Sequence, residues 1–217
     1  MTTTQRDTIA ALLDDYGRTY TEDAGISLKD APQPLYQLLV LSGLLSTRIR
    51  AGVAVSAARE LFAAGMRDPK RMADATWQQR VDALGRGGYR RYDERTATQL
   101  GDGARLVTER YGGDLRRMRA EADGTLAELA HRLRDFPGVG PAGVHIFVRE
   151  VQSVWPEFAP YLDDKALDGA RRLGLPDSQA SLKRLAGDAE PARLASALVR
   201  VALDKRAPAT VREHAAA

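Results

Sequence analysis

Apolar residues return at three- and four-residue intervals along almost the whole of this 217-residue chain, while alternating β-branched runs are scarce. Such spacing is satisfied by amphipathic helices and by little else, so an all-α fold is expected. The pattern predicts helices over 5–16, 34–45, 49–64, 69–73, 76–84, 93–111, 115–121, 125–136, 141–154, 163–173, 178–186 and 190–204. Several ends carry physical punctuation: Asp74 or Thr76 can cap the helix before Trp77, Gly112-Gly113 stops the long arginine-bearing helix, and Pro176-Asp177 separates two late ones. The tail 207–217, APATVREHAAA, offers little to pack and is expected to fray. A chain of this length buries a sizeable core, as one helical domain or as two closely packed lobes.

Between two of these patterns lies FPGVGPAG, Phe136 to Gly143. Leu126, Leu129, Leu133 and Phe136 fall on one face of the helix before it, and Val144, Phe147, Val148 and Val151 on one face of the helix after it. Gly138 and Gly140 permit positive φ and close backbone approach, Pro137 stiffens the entry, and Pro141 suits a first helical turn. Backbone N–H groups at Gly138, Gly140 and the following turn are then placed to hold a phosphate oxygen, aided by the helix dipole. The plainer alternative is a helix connection that merely needs glycine.

Charge and composition narrow the chemistry. The formal charge is +3 and the isoelectric point about 9.3, and arginine is strongly preferred over lysine, leaving many guanidinium groups for phosphate contacts. A GC-rich genome would enrich arginine and alanine in the same way. The absence of cysteine excludes disulfides, thiolate zinc sites, cysteine nucleophiles and cysteine-ligated iron–sulfur clusters. His131, His145 and His214 have no metal-ligand spacing and read as packing or surface residues, so no metal site is expected. No signal-peptide pattern or apolar span of membrane length occurs, and a soluble, cytoplasmic protein is expected.

FPGVGPAGVHIFV closely resembles the helix-hairpin-helix of the endonuclease III-like DNA glycosylase superfamily, whose motif reads like LPGVGxxTA. Downstream, LDDKALDGARRLGL, Leu162 to Leu175, resembles that family's VDTHVxRVxxRLGL stretch. The resemblance implies a two-lobed helical DNA-glycosylase fold without an iron–sulfur cluster. One lobe would comprise 1–33 and 139–217, the other 34–138 ending in the hairpin, with the lobes packed as one unit. Ungapped alignment through Arg172-Leu173-Gly174-Leu175 places Asp163 at the catalytic position, with Asp164 as the shifted alternative. An ionised carboxylate there would stabilise oxocarbenium character on the deoxyribose or activate water. The competing use of either aspartate is a helix N-cap before Lys165-Ala166-Leu167.

The same resemblance assigns DNA contacts. Gly138, Val139, Gly140, Pro141 and Ala142 would hold the backbone of duplex DNA, with room for a monovalent cation at the hairpin and no other cofactor. LLSTRIR, Leu44 to Arg50, resembles the family's LLSAQAT-like turn and puts Arg48 where a side chain enters the duplex, with Arg50 beside it; a solvated loop arginine is the alternative. GGYRRY, Gly87 to Tyr92, occupies the region of a GLYNSKA-like loop, where Tyr89 would wedge or line a base pocket beside Arg90 and Arg91; packing of Tyr89 against a helix is the alternative. Bifunctional members carry a lysine where Ala142 stands, so the resemblance implies hydrolysis by water, without lysine-dependent strand cleavage. Asp168 and Gly169 depart from the family pattern, which has an arginine and an apolar residue there. The expected function is that of a base-excision repair glycosylase, a nucleoid-associated monomer acting on a flipped damaged or mismatched base. A non-catalytic helix-hairpin-helix DNA-binding protein is the second reading, and a helical interaction protein without a DNA role the third.

Overall fold

The computed structural model describes residues 4–216, and among them the regular secondary structure is all helical, with no strand. The helices are α1 (Gln5–Tyr16), α2 (Tyr20–Asp23), α3 (Pro32–Leu45), α4 (Ala51–Ala63), α5 (Pro69–Asp74), α6 (Trp77–Arg86), α7 (Asp93–Tyr111), α8 (Leu115–Glu121), α9 (Leu126–Arg134), α10 (Pro141–Val151), α11 (Asp164–Arg172), α12 (Gln179–Ala186), α13 (Pro191–Leu203) and α14 (Ala207–Ala215). None of them is long and apolar enough to cross a membrane. The all-α class follows from the helical spacing.

Boundaries fall where the punctuation puts them. Thr76, not Asp74, caps α6: its hydroxyl accepts the Gln79 N–H at 3.1 Å, while the Thr76 N–H donates to Gln79 Oε1 at 2.8 Å. Gly112 ends α7 in the left-handed region, at φ 60°. Differences from the sequence expectation have local causes. Residues 48–50 form a turn, so α4 begins at Ala51; α10 ends at Val151, where Ser153 and Val154 turn back three residues, onto the Glu150 and Val151 carbonyls, instead of four.

The tail expectation is corrected by α14. Ala207 and Val211, one turn apart, are fully buried in the same core as Ile9 and Leu12 of α1. Their burial contributes about 2 kcal/mol, enough to hold a nine-residue segment that would not stay helical alone.

Two compact units result. One contains the chain up to Tyr20 and from Val148 onward; the other is the continuous segment Thr21–Phe147. The sequence expectation placed these divisions later in the first case, after residue 33, and earlier in the second, after residue 138. In the continuous unit α3 is buried on every side from Leu35 to Ser42, which makes it the central helix. There Arg80 is buried and donates to the carbonyls of Met72, Ala75 and Ala97 at 2.9, 2.6 and 2.8 Å, tying α5 and α7 to α6. In the discontinuous unit α11 lies against α13 so closely that a Cβ on Gly169 would stand 1.9 Å from the Leu198 carbonyl oxygen. Close helix packing therefore accounts for the departure at Gly169.

Candidate nucleic-acid interface and the Asp163 cap

The hairpin belongs to the continuous unit. Leu133 and Phe136 anchor the end of α9 in the core, and the chain reverses through Gly138 at φ 87°. The Val139 N–H returns to the Phe136 carbonyl at 3.0 Å, and the Gly140 carbonyl accepts the Val144 N–H at 3.1 Å, opening α10. Val139 is buried and thus anchors the turn, whereas Gly138, Pro141 and Ala142 are exposed. Pro141 has no N–H, and the amides of Gly140, Ala142 and Gly143 fall in the first turn, where the intrahelical ladder supplies no acceptor.

What the hairpin rests on joins the other motifs. Gly143 sits against the end of α3: a Cβ there would be 3.6 Å from both the Ser42 carbonyl oxygen and Ser46 Cβ. The Ser46 hydroxyl donates to the Gly43 carbonyl at 2.7 Å and lies 3.4 Å from that of Gly138. Next along the chain, Thr47 Oγ1 accepts a 2.8 Å hydrogen bond from the Tyr89 hydroxyl. Gly87 meanwhile brings the 87–92 loop onto the α4 backbone, where a Cβ would stand 2.4 Å from Ala57 Cα. The hairpin, the 46–50 turn and the 87–92 loop are thereby linked within one unit. A small cleft of about 40 Å³ lies beside the hairpin and Thr47, walled chiefly by apolar groups such as Leu39, Leu100, Phe136 and Val139, with Thr47, Thr96 and Gln99 as polar exceptions.

These contacts settle where each sequence-predicted residue lies. Arg48, Arg50, Arg90 and Arg91 are exposed, and Arg91 stands 5.2 Å above the Tyr92 ring. Tyr89 is a correction. It is only 1% exposed and its hydroxyl is used between Thr47 and Thr96, so it braces two loops and is not placed to wedge into a duplex or stack on a base.

The acidic pair belongs to the discontinuous unit. Asp163 is the N-cap of α11: Oδ1 accepts the Ala166 N–H at 3.1 Å. Its Oδ2 accepts from the Arg149 guanidinium of α10 at 2.5 Å, and both side chains are only 8% exposed. Asp164, the first residue of α11, is exposed, as is Lys165. The approach to the cap is clamped by Gln152, whose carboxamide donates to the carbonyls of Arg149 and Tyr161 at 2.9 and 3.1 Å and accepts the Tyr161 N–H at 2.7 Å. Burial, with the Asp163 carboxylate nearby, pushes the Tyr161 phenol up to about 12. Arg149 and Gln152 were not among the sequence-predicted site residues. The signal for them is a charged Arg149-Glu150 pair inside the apolar run HIFVREV, which only partners in the interior can explain.

Of the histidines, His131 and His145 are exposed on α9 and α10. His214 of α14 reaches Asp15 at 3.0 Å through Nδ1 and Asp14 at 3.8 Å through Nε2. Two different ring nitrogens face the two carboxylates, an exposed grouping that spacing in sequence did not reveal. No protein-family model matches the sequence, and no curated protein matches it.

Proposed function

We propose that the protein binds duplex DNA through the linked hairpin, turn and loop of its continuous unit, and that it hydrolyses the N-glycosidic bond of a damaged or mismatched base with Asp163 as its acidic residue. The observation that carries this reading is the chain of contacts from Gly138 and Gly143 through Ser46 and Thr47 to Tyr89. It gathers first-turn amides and four exposed arginines, the donors that grip phosphates. In the excision step the C1′–N bond breaks with its electron pair passing to the base. A water oxygen bonds to C1′, and the proton released from that water ends on the departing base or in solvent. An ionised Asp163 would stabilise the positive charge on the sugar. Ala142 offers no amine, so the route through a Schiff base is not part of the proposal.

A second reading, DNA binding without turnover, is favoured by the engagement of both Asp163 oxygens in the cap and the ion pair. Incubation with duplexes bearing single lesions, followed by hot alkali, separates the two. Abasic sites formed by the wild type and by Asp164→Asn, but not by Asp163→Asn, support excision by Asp163. Binding that weakens steeply with salt, with no lesion cleaved, supports the second reading. Undiminished binding by Arg48→Ala/Arg50→Ala/Arg90→Ala/Arg91→Ala would remove the basis of both.

A further inference from the structure

We infer that Arg149 is a positioning residue for Asp163, acting on base excision through the placement of that carboxylate; the inference rests on the reading of Asp163 as the catalytic group. An N-cap by itself needs one oxygen and no arginine. The other aspartate caps show what ordinary service looks like. Asp68 caps α5 and pairs at 3.5 Å with Arg71, three residues on, whose side chain is largely in solvent. Asp114 caps α8 and pairs at 2.6 Å with the exposed Arg116, two residues on.

Asp163 differs in both respects. Its cation comes from another helix, fourteen residues earlier, and is withdrawn from water along with the carboxylate. Desolvating two such ions costs several kcal/mol, which their attraction offsets only when the geometry is good. Capping stability alone does not call for that arrangement, since a solvated aspartate cap already contributes its usual ~1 kcal/mol. What the buried arginine adds is direction. With Oδ1 on the Ala166 amide and Oδ2 on Arg149, the carboxylate is fixed against rotation about its last side-chain torsion. The Gln152 clamp on Tyr161 fixes the backbone that leads into it. A carboxylate held in this way meets a developing cation without reorganising, which is where electrostatic catalysis gains most. The guanidinium offsets the negative charge of the carboxylate, and what the pair gains in exchange is a fixed geometry.

The test uses the full chain with a lesion duplex that the wild type cleaves in the panel above. Single-turnover excision, duplex affinity by fluorescence anisotropy and thermal unfolding are measured for Arg149→Gln, Arg149→Lys and Asp163→Asn. Arg149→Gln is expected to lower the single-turnover rate roughly 100-fold, the scale of a 1 Å misplacement. Duplex affinity should stay within about two-fold, and Arg149→Lys should recover part of the rate. A structural role alone would lower rate and affinity together, in step with the folded fraction, and Lys would rescue only as far as it restored the fold. That outcome overturns the inference even if Arg149→Gln is too unstable to assay, because Arg149→Lys then carries the comparison. A wild-type rate in Arg149→Gln alongside an inactive Asp163→Asn overturns the inference and leaves the catalytic reading standing. Full activity in Asp163→Asn, or no lesion cleaved by the wild type, overturns both.

Discussion

Gly169→Ala measures how tightly the helix bearing the Asp163 cap is held. The added methyl would lie 1.9 Å from the Leu198 carbonyl oxygen and 2.7 Å from its carbon. Both obstacles are backbone, so no rotamer change relieves the contact, and α11 must move from α13 by about 1 Å or more. Overpacking of this kind costs about 3 kcal/mol, at the upper end of the usual range. Alanine returns about 1 kcal/mol through its higher helix propensity. The net expectation is a loss of about 2 kcal/mol, or a fall of roughly 4–8 °C in Tm for a chain of this size. Gly85→Ala is the control, being helical in α6 with nothing within 4 Å of its added Cβ; it should be neutral or stabilising by up to about 1 kcal/mol. Urea unfolding of the three proteins, followed by far-UV circular dichroism, gives the comparison. Gly169→Ala as stable as Gly85→Ala would refute the close crossing and with it the explanation of why glycine stands there.

Three further outcomes are expected. Tyr89→Phe removes the bond to Thr47 and should cost about 1 kcal/mol, with faster amide exchange at residues 47–50 and 89–91 as the local readout. Val211→Ala should lower stability by about 2 kcal/mol in chemical denaturation, whereas a frayed tail would be indifferent to it. Burial raises the Glu190 carboxyl above its ordinary value of 4.5, so the folded state holds its proton more tightly than the unfolded chain. The stability this gives is present below that value and lost as pH rises through the raised one. Glu190→Gln should therefore gain on the wild type as pH rises above the ordinary carboxyl value of 4.5 in parallel urea titrations; a difference independent of pH would contradict the assignment.

Much of the architecture is readable from local chemistry, because the residues that stop and start helices act within one turn. Thr76 with Gln79, and Gly112 in the left-handed region, are cases where neighbouring atoms decide the boundary. The hairpin is legible for the same reason: Gly138 needs a positive φ, and Pro141 opens a helix whose amide it does not need. Residues whose role depends on distant partners are another matter. Tyr89 in a glycine-bearing loop looks available until Thr47, 42 positions away, takes its hydroxyl. Arg149 and Asp163 find each other only when α10 and the start of α11 are brought together. The tail misleads because alanine-rich segments carry weak periodicity, and its anchors, Ala207 and Val211 in the core and His214 beside Asp15, depend on distant partners.

The way the units are cut from the chain bears on its synthesis. Residues 21–147 are contiguous, while the other unit joins a short leading segment to everything from Val148 onward. The contiguous unit is made first, and domains generally fold as units during synthesis, so it can form while α13 and α14 of the other unit are still to come. The leading segment, α1 included, must wait for α11, α13 and α14 before its apolar face has anything to cover it. During that interval the surface proposed to grip DNA can already be formed, while α11, which Asp163 caps, still lacks the α13 it packs against.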